Sequence, residues 1–324
     1  MGVLSVMQAA VLGLVEGVTE YLPISSTGHL IVASSLMGLE DPAHPNVKDA
    51  VDSFNVVIQG GAILAVVGLY WPRFAQMLRG ALGRDPAGLR LVFNLAAAFL
   101  PAAAVGLVLH KTIKAHLFFA APVAIAFIVG GLYMMAVDQW RRGRFGPPPA
   151  PSAEKGIDDL SIPDAVKIGL IQCVAMWPGV SRSMMTITGG FFVGLRPAAA
   201  AEFSFLLGVP TLTAAAGLDL YKNLKHSRLT GEPNLFQELG ITATMVGVLV
   251  AAISAALAVR WLVGFLNRRG LSPFGWYRVA AGVVLLLLVA RGMVTIVPDS
   301  ETSTPRGPIE KSAANPDHPP GADR

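Results

Sequence analysis

The chain has 324 residues, 53% of them hydrophobic and 14% charged, with a formal net charge of +4 and a mean hydropathy of +0.57. These values exclude an ordinary soluble domain, and the single cysteine, Cys173, excludes an internal disulfide or a thiolate metal cluster. The excess cations lie in loops without the aromatic interleaving of a nucleic-acid surface, so the composition describes a membrane protein with no nucleic-acid partner.

In chain order, the first segment, about 1–37, is apolar but broken in its middle by "EYLPISSTGHL" at 20–30. Its start, "MGVLSVMQAAVLGLVEG", lacks a basic region and a cleavage site, so it is expected to stay on the protein. Apolar runs follow at about 53–70, 88–109 and 118–137, each near the roughly 20 residues that cross a bilayer as helix. "RFGPPPAPSAEKGIDD", 144–159, reads as a Pro-rich linker, and a second broken apolar segment occupies 160–196. Three more runs, at about 203–220, 240–264 and 276–297, precede a polar tail, 298–324, that is expected to be disordered. The expected fold is an all-α polytopic membrane protein, one membrane domain over 1–297, with six transmembrane helices and two re-entrant helical hairpins. Trp71, Trp140, Trp261 and Trp276 lie near span ends and fit an interfacial belt.

The two broken segments look like a diverged repeat. Setting "GLVEGVTEYLPISST" (13–27) over "GLIQCVAMWPGVSRS" (169–183) pairs Gly13 with Gly169, Tyr21 with Trp177, Ser25 with Ser181, Ser26 with Arg182 and Thr27 with Ser183. Each copy is followed by three spans, an odd number, so the second copy, about 160–297, enters the membrane upside down relative to the first, about 1–137. Inverted repeats of this kind bring broken helices together near the midplane. The set Arg73, Arg79, Arg84, Arg90, Arg141, Arg142, Arg144, Lys155, Arg268 and Arg269 outweighs Lys48, Lys111, Lys114, Lys222, Lys225 and Arg228, which places the first set on the cytoplasmic side. The first hairpin then enters from outside and the second from the cytoplasm.

Glu16 and Glu20 are four residues apart and share a helix face, where they repel unless a positive charge lies between them. Arg182 from the other hairpin is one such charge, and a divalent cation is another. Three charges at membrane depth cost about 2.5–3.5 kcal/mol each, which favours a functional cavity over a structural ion pair. "PISSTGHL" stops its helix and leaves backbone N–H groups beside the hydroxyls of Ser25, Ser26 and Thr27, a turn suited to phosphate. It lacks the spacing of a Walker loop. "PGVSRS", 178–183, breaks its own helix and supplies Ser181, Ser183 and an arginine shaped to grip phosphate oxygens. Ser26 with His29 or Glu20 as base makes an activated nucleophile, and His29 is itself the alternative nucleophile.

"EGVTEYLPISSTGH" with "PGVSRSMMTITGG" is similar to the two signature motifs of the bacterial undecaprenyl-diphosphatases, the bacitracin-resistance type, and the likeness runs to about residue 297 through "EFSFLLGVP" at 202–210. The resemblance implies a plasma-membrane enzyme, its active site facing outward, that hydrolyses undecaprenyl diphosphate to the monophosphate and inorganic phosphate. Such an enzyme recycles the lipid carrier for cell-wall synthesis, uses Mg or Ca, and leaves a homodimer open. Carried over by motif, the metal-binding acidic pair falls on Glu16 and Glu20, the nucleophilic serine on Ser26, the phosphate-binding threonine on Thr27, the histidine on His29 and the arginine on Arg182. The chain departs from the family pattern at Met184, where glycine is usual, and at "QGG", 59–61. The competing reading is a secondary transporter or flippase of phosphorylated lipid, which shares broken helices and inverted repeats but needs no nucleophile.

Overall fold

The computed structural model describes residues 4–39, 45–117, 119–145, 154–231 and 239–292. Among them the regular structure is helical, apart from one isolated backbone bridge between Lys155 and Leu195. The centre of the expected linker, 146–153, and the expected tail, 298–324, lie outside the described residues. Six long helices, α3 (Pro45–Leu69), α5 (Pro86–Leu117), α6 (Ala120–Arg141), α9 (Pro197–Thr230), α10 (Ile241–Arg269) and α11 (Ser272–Ala290), each contain a stretch long and apolar enough to cross a membrane. The protein is a multi-pass membrane protein. Several helices run past the expected spans because hydropathy marks the apolar middle of a helix, whereas hydrogen bonding continues into its polar ends.

The broken segments form four shorter helices: α1 (Val6–Thr19), α2 (Ser26–Leu36), α7 (Ile162–Gln172) and α8 (Arg182–Phe192). Ser5 opens α1 with a capping box, accepting from Gln8 N at 3.2 Å while Gln8 Oε1 accepts from Ser5 N at 2.9 Å. Ser161 caps α7 by accepting from Asp164 N. α4 (Trp71–Ala81) is a finding beyond the sequence reading, which treated Arg73 and Arg79 as loop cations. Its apolar positions, including the exposed Trp71 and Leu78, are too few for a span but sufficient for a helix lying along a surface.

Packing crosses between the halves. α1 lies against α10 so closely that a Cβ at Gly13 would come 2.4 Å from Gly247 O, and α7 lies against α5 so that a Cβ at the aligned Gly169 would come 2.3 Å from Ala98 O. α3 packs on α9, and α6 on α11. At one end of the bundle Arg73 pairs with Glu202 (2.8 Å) and Asp158 (3.0 Å), Arg141 with Glu154 (3.1 Å) and Lys155 with Asp164 (2.8 Å). Arg142 donates to Arg269 O there as well, so members of the larger basic set gather on one side.

Candidate active site

Both helix breaks use the same backbone device. α1 ends at Thr19 and the chain turns through Pro23; α7 ends at Gln172, continues as a tight 3-10 turn over Cys173–Met176, and turns through Pro178 and Gly179. Each turn then passes through a serine with positive φ, Ser25 at 72° and Ser181 at 79°, which are the non-glycine residues in that region among the described residues. An L-residue held there stores about 1–3 kcal/mol and persists where its surroundings over-determine it. The two strained serines are the pair aligned in sequence. Each immediately precedes an 11-residue helix.

Between the turns lies a buried polar cluster. Glu20 is 7% exposed and is gripped from two directions: Ser26 Oγ donates to its Oε2 at 2.6 Å, and Arg182 Nη2 donates to its Oε1 at 3.0 Å. Arg182 Nη1 donates to Ser204 O at 2.8 Å, and the guanidinium lies 5.4 Å from the centre of the Tyr21 ring. It fits because position 208 is glycine: a Cβ there would sit 2.6 Å from Nη1. Glu16, one helical turn before Glu20, is fully buried, and neither of its oxygens has a hydrogen-bond partner among the described residues. Tyr21 OH and Arg182 Nε are likewise buried without partners. A fully dry interior would leave each of these groups with its whole desolvation penalty, about 1–3 kcal/mol and more for charges. The cluster is therefore built to receive something polar.

The structure thus brings together Glu16, Glu20, Ser26 and Arg182. It holds His29 differently from the expected partnership with Ser26: its Nδ1 lies 2.7 Å from Ser25 O and its Nε2 2.6 Å from Tyr277 OH, with the Tyr277 ring stacked at 5.7 Å. Glu20, not His29, is the group in contact with the Ser26 hydroxyl. Thr27 is exposed, one position round the helix from the buried Ser26. Ser181 caps α8 by accepting from Met184 N, and Ser183 Oγ donates to Leu22 O at 2.8 Å, tying the second turn to the first. Ser25 is buried with its carbonyl turned to His29. At the departures from the family pattern, Met184 is buried with its methyl group beside Gly130, and Gly61 faces the backbone of α10 at Val248.

Sequence reading missed Tyr277, Ser204, Gly208 and Arg278. Arg278 lies within the apolar run of α11, is fully buried, and donates to Pro23 O (3.4 Å), Ala126 O (2.9 Å) and Gly179 O (2.7 Å). An arginine inside a span costs about 2.5–3.5 kcal/mol on insertion scales, and that cost was the available signal.

An apolar cavity of about 280 Å³ begins at His29 and Tyr277 and continues along Val32, Phe127, Val284 and Leu288. A larger one, about 610 Å³, lies between α3, α9 and α10 and is lined by none of the cluster residues.

These features define a polytopic helical membrane protein with a buried acid, hydroxyl and arginine cluster where two interrupted helices meet. The family model for the bacitracin resistance protein BacA matches residues 9–284, and the chain belongs to that family. It is 47% identical to an undecaprenyl-diphosphatase of Sorangium cellulosum over 280 residues, 86% of this chain and 85% of that protein. It is 46% identical to undecaprenyl-diphosphatase 2 of Rhodospirillum rubrum, over 91% of this chain and 99% of that protein. An undecaprenyl-diphosphatase of Variovorax paradoxus is 42% identical over 91% of this chain and 98% of its own length.

Proposed function

We propose that this protein hydrolyses undecaprenyl diphosphate to undecaprenyl phosphate and inorganic phosphate, with the reaction centred on Ser26, and so recycles the lipid carrier of cell-wall synthesis. The observation that carries the assignment of the site is the Glu20 carboxylate, which holds the Ser26 hydroxyl on one oxygen and the Arg182 guanidinium on the other. Ser26 Oγ attacks the terminal phosphorus and passes its proton to Glu20. The bond from that phosphorus to the bridging oxygen breaks, lipid monophosphate leaves, and water then cleaves the phosphoserine to release phosphate. Arg182 neutralises charge developing on the phosphoryl oxygens, the contribution that dominates such transfers. His29 is fixed by Ser25 O and Tyr277 at the mouth of the apolar groove, where it meets the diphosphate while the isoprenoid tail follows the groove towards lipid. Both its ring nitrogens are engaged, which favours Ser26 over His29 as nucleophile.

The residues present fit a divalent cation, Mg or Ca. Glu16 offers two buried carboxylate oxygens without partners, next to Glu20, and hard cations take oxygen ligands of this kind together with substrate phosphate. When bound by Glu16 and Glu20, such an ion supplies further neutralisation of the phosphoryl oxygens.

For the topology, we propose two re-entrant hairpins in inverted repeats, in the inner membrane, with the site facing outward. Support comes from the chain around the second pair: Lys155, before α7, is bonded through its backbone to Gly194 and Arg196, after α8, so that pair begins and ends at one place. The first pair likewise has Leu4 and Leu39, from its two ends, in one cluster. The basic end of the bundle supports the cytoplasmic assignment.

The test is phosphate release from a long-chain polyprenyl diphosphate by purified protein, with and without EDTA, beside Ser26→Ala. The expected result is metal-dependent release that falls at least about a hundredfold in the variant. Absence of release from folded, metal-replete protein overturns the reading in favour of lipid transport.

A further inference from the structure

The three carbonyls bound by Arg278 are related in a way that their sequence positions conceal. Aligned as repeats, Pro23 corresponds to Gly179, so one guanidinium binds equivalent carbonyls in the two turns. Each of these carbonyls belongs to the peptide two bonds upstream of a strained serine. The far side of each peptide is also tied: Ile24 N donates to Leu22 O at 2.8 Å, and Val180 N donates to Trp177 O at 3.1 Å. The third carbonyl, Ala126 O, anchors the same guanidinium to α6. All three hydrogen bonds of Arg278 go to backbone, with Nε left without a partner among the described residues, and its guanidinium carbon lies over the Phe127 ring, 5.0 Å from the ring centre. A planar fork of donors reaches two turns and a helix at once, which an ammonium on a single point cannot do.

We propose that Arg278 is a positioning residue of the active site: it clamps the equivalent carbonyls of the two helix breaks, and thereby sets the distance between Ser26 and Glu20 on one turn and Arg182 on the other. The groups that react come from different halves of the chain, so their spacing is not fixed by any single helix. Two direct ties already join the segments, Ser183 through Leu22 O and Arg182 through the Glu20 carboxylate itself, and Arg278 adds from α11 one that binds both turns by their backbone. Without the clamp, three carbonyls released by helix breaks lose their donor and the positive φ of Ser25 and Ser181 loses part of what enforces it.

The inference rests on the hydrolase reading for its kinetic arm and stands apart from it in its second arm. Arg278→Met keeps most of the side-chain volume and removes the donors; Arg278→Lys keeps the charge. In the phosphate-release assay, Arg278→Met is expected to lower kcat about a hundredfold, the effect of about an ångström's misplacement, with KM within about threefold. Arg278→Lys recovers part of that loss. In parallel, hydrogen exchange followed by mass spectrometry is expected to show faster exchange in Arg278→Met for the peptides covering 22–28 and 178–184, with α3 and α5 unchanged. Faster exchange at both turns, over 150 positions apart in sequence, is an effect that a merely local packing role for α11 does not produce. Wild-type kcat in a folded Arg278→Met protein overturns the proposal, as does loosening confined to α6 and α11 or spread over the whole bundle. Loss of phosphate release by the wild type sinks the hydrolase reading alone, and the exchange pattern then still decides the clamp.

Discussion

The two interrupted helices share a backbone and divide the chemistry. Where the first has Glu16 the second has Gln172, where the first has Glu20 the second has Met176, and Ser26 corresponds to Arg182, while Ser25 and Ser181 keep the same strained conformation. Gln172 is as deeply set as its counterpart: it is 2% exposed, and its amide oxygen and nitrogen both lack partners among the described residues. The first copy alone would carry two neighbouring carboxylates and the second alone an unpaired arginine, each costly in a low-dielectric interior. Set together, Arg182 neutralises Glu20 at 3.0 Å, and Glu16 is the carboxylate left over. The two interrupted helices thus contribute to one composite site, with acids and hydroxyl from the first and the guanidinium from the second.

The contrast is broken most severely by removing the element that joins the copies. Arg182→Ala leaves Glu20 buried without its cation, and phosphate release is expected to fall at least about a hundredfold, as loss of one preorganised charge contact does; near-normal turnover of the folded variant sinks this assignment. Making the first copy resemble the second is the next test. Glu16→Gln is expected to cost about a hundredfold in turnover and to blunt the response to EDTA, the size typical of losing one electrostatic contact to the transferring group. Gln172→Leu, at the matching position, is expected to keep turnover within about threefold and to leave Tm unchanged or raised, since it removes a buried amide that has no partner.

A smaller effect sharpens the placement of His29. Tyr277→Phe removes the phenol that holds Nε2, and the loss of one hydrogen bond of about 1 kcal/mol predicts about a fivefold drop in turnover. No change in kcat or KM would separate His29 from the reaction. The smallest effect lies outside the six apolar spans. Burial works against the charge on Asp164, but hydrogen bonds from Lys155 and Ser161 outweigh it and hold the carboxyl below its usual range. Its folded pKa is thus below the unfolded one, so the stabilisation is present above the ordinary carboxylate range and disappears as pH falls through the lowered folded value. Asp164→Asn is expected to destabilise the protein by less than about 1 kcal/mol at neutral pH, with the difference closing in strong acid; Tm measured across pH tests both size and sign.

Much of this was legible in the sequence because lipid leaves few choices. Apolar runs near 20 residues mark spans, and Pro23, Pro178 and Gly179 mark breaks because each interrupts a helix locally. Glu16, Glu20, Ser26 and Arg182 stood out because ionised and hydroxyl groups in such a setting demand partners. What stayed hidden depends on distance in three dimensions. Tyr277 and Arg278 lie far in sequence from the broken segments, and only the fold brings them to His29 and to the two turns. Thr27 belonged to the same motif as Ser26, yet the 100° between successive helical residues sends it outward. Ser181 and Ser183, expected on phosphate, have their hydroxyls on the helix end and the neighbouring turn, contacts the sequence does not show. α4 escaped notice because its amphipathic pattern is short.

The close packing of Gly13 on α10 joins a helix made first to one made near the end of the chain. As the chain leaves the ribosome, α1 is complete long before α10, its groove partner, has been synthesised. The nascent first half therefore has to wait in the membrane with a smooth glycine face and two acids uncovered. A chain cut before α10 keeps Glu16 and Glu20 but leaves α1 without the helix it packs against, and is expected to lose phosphate release.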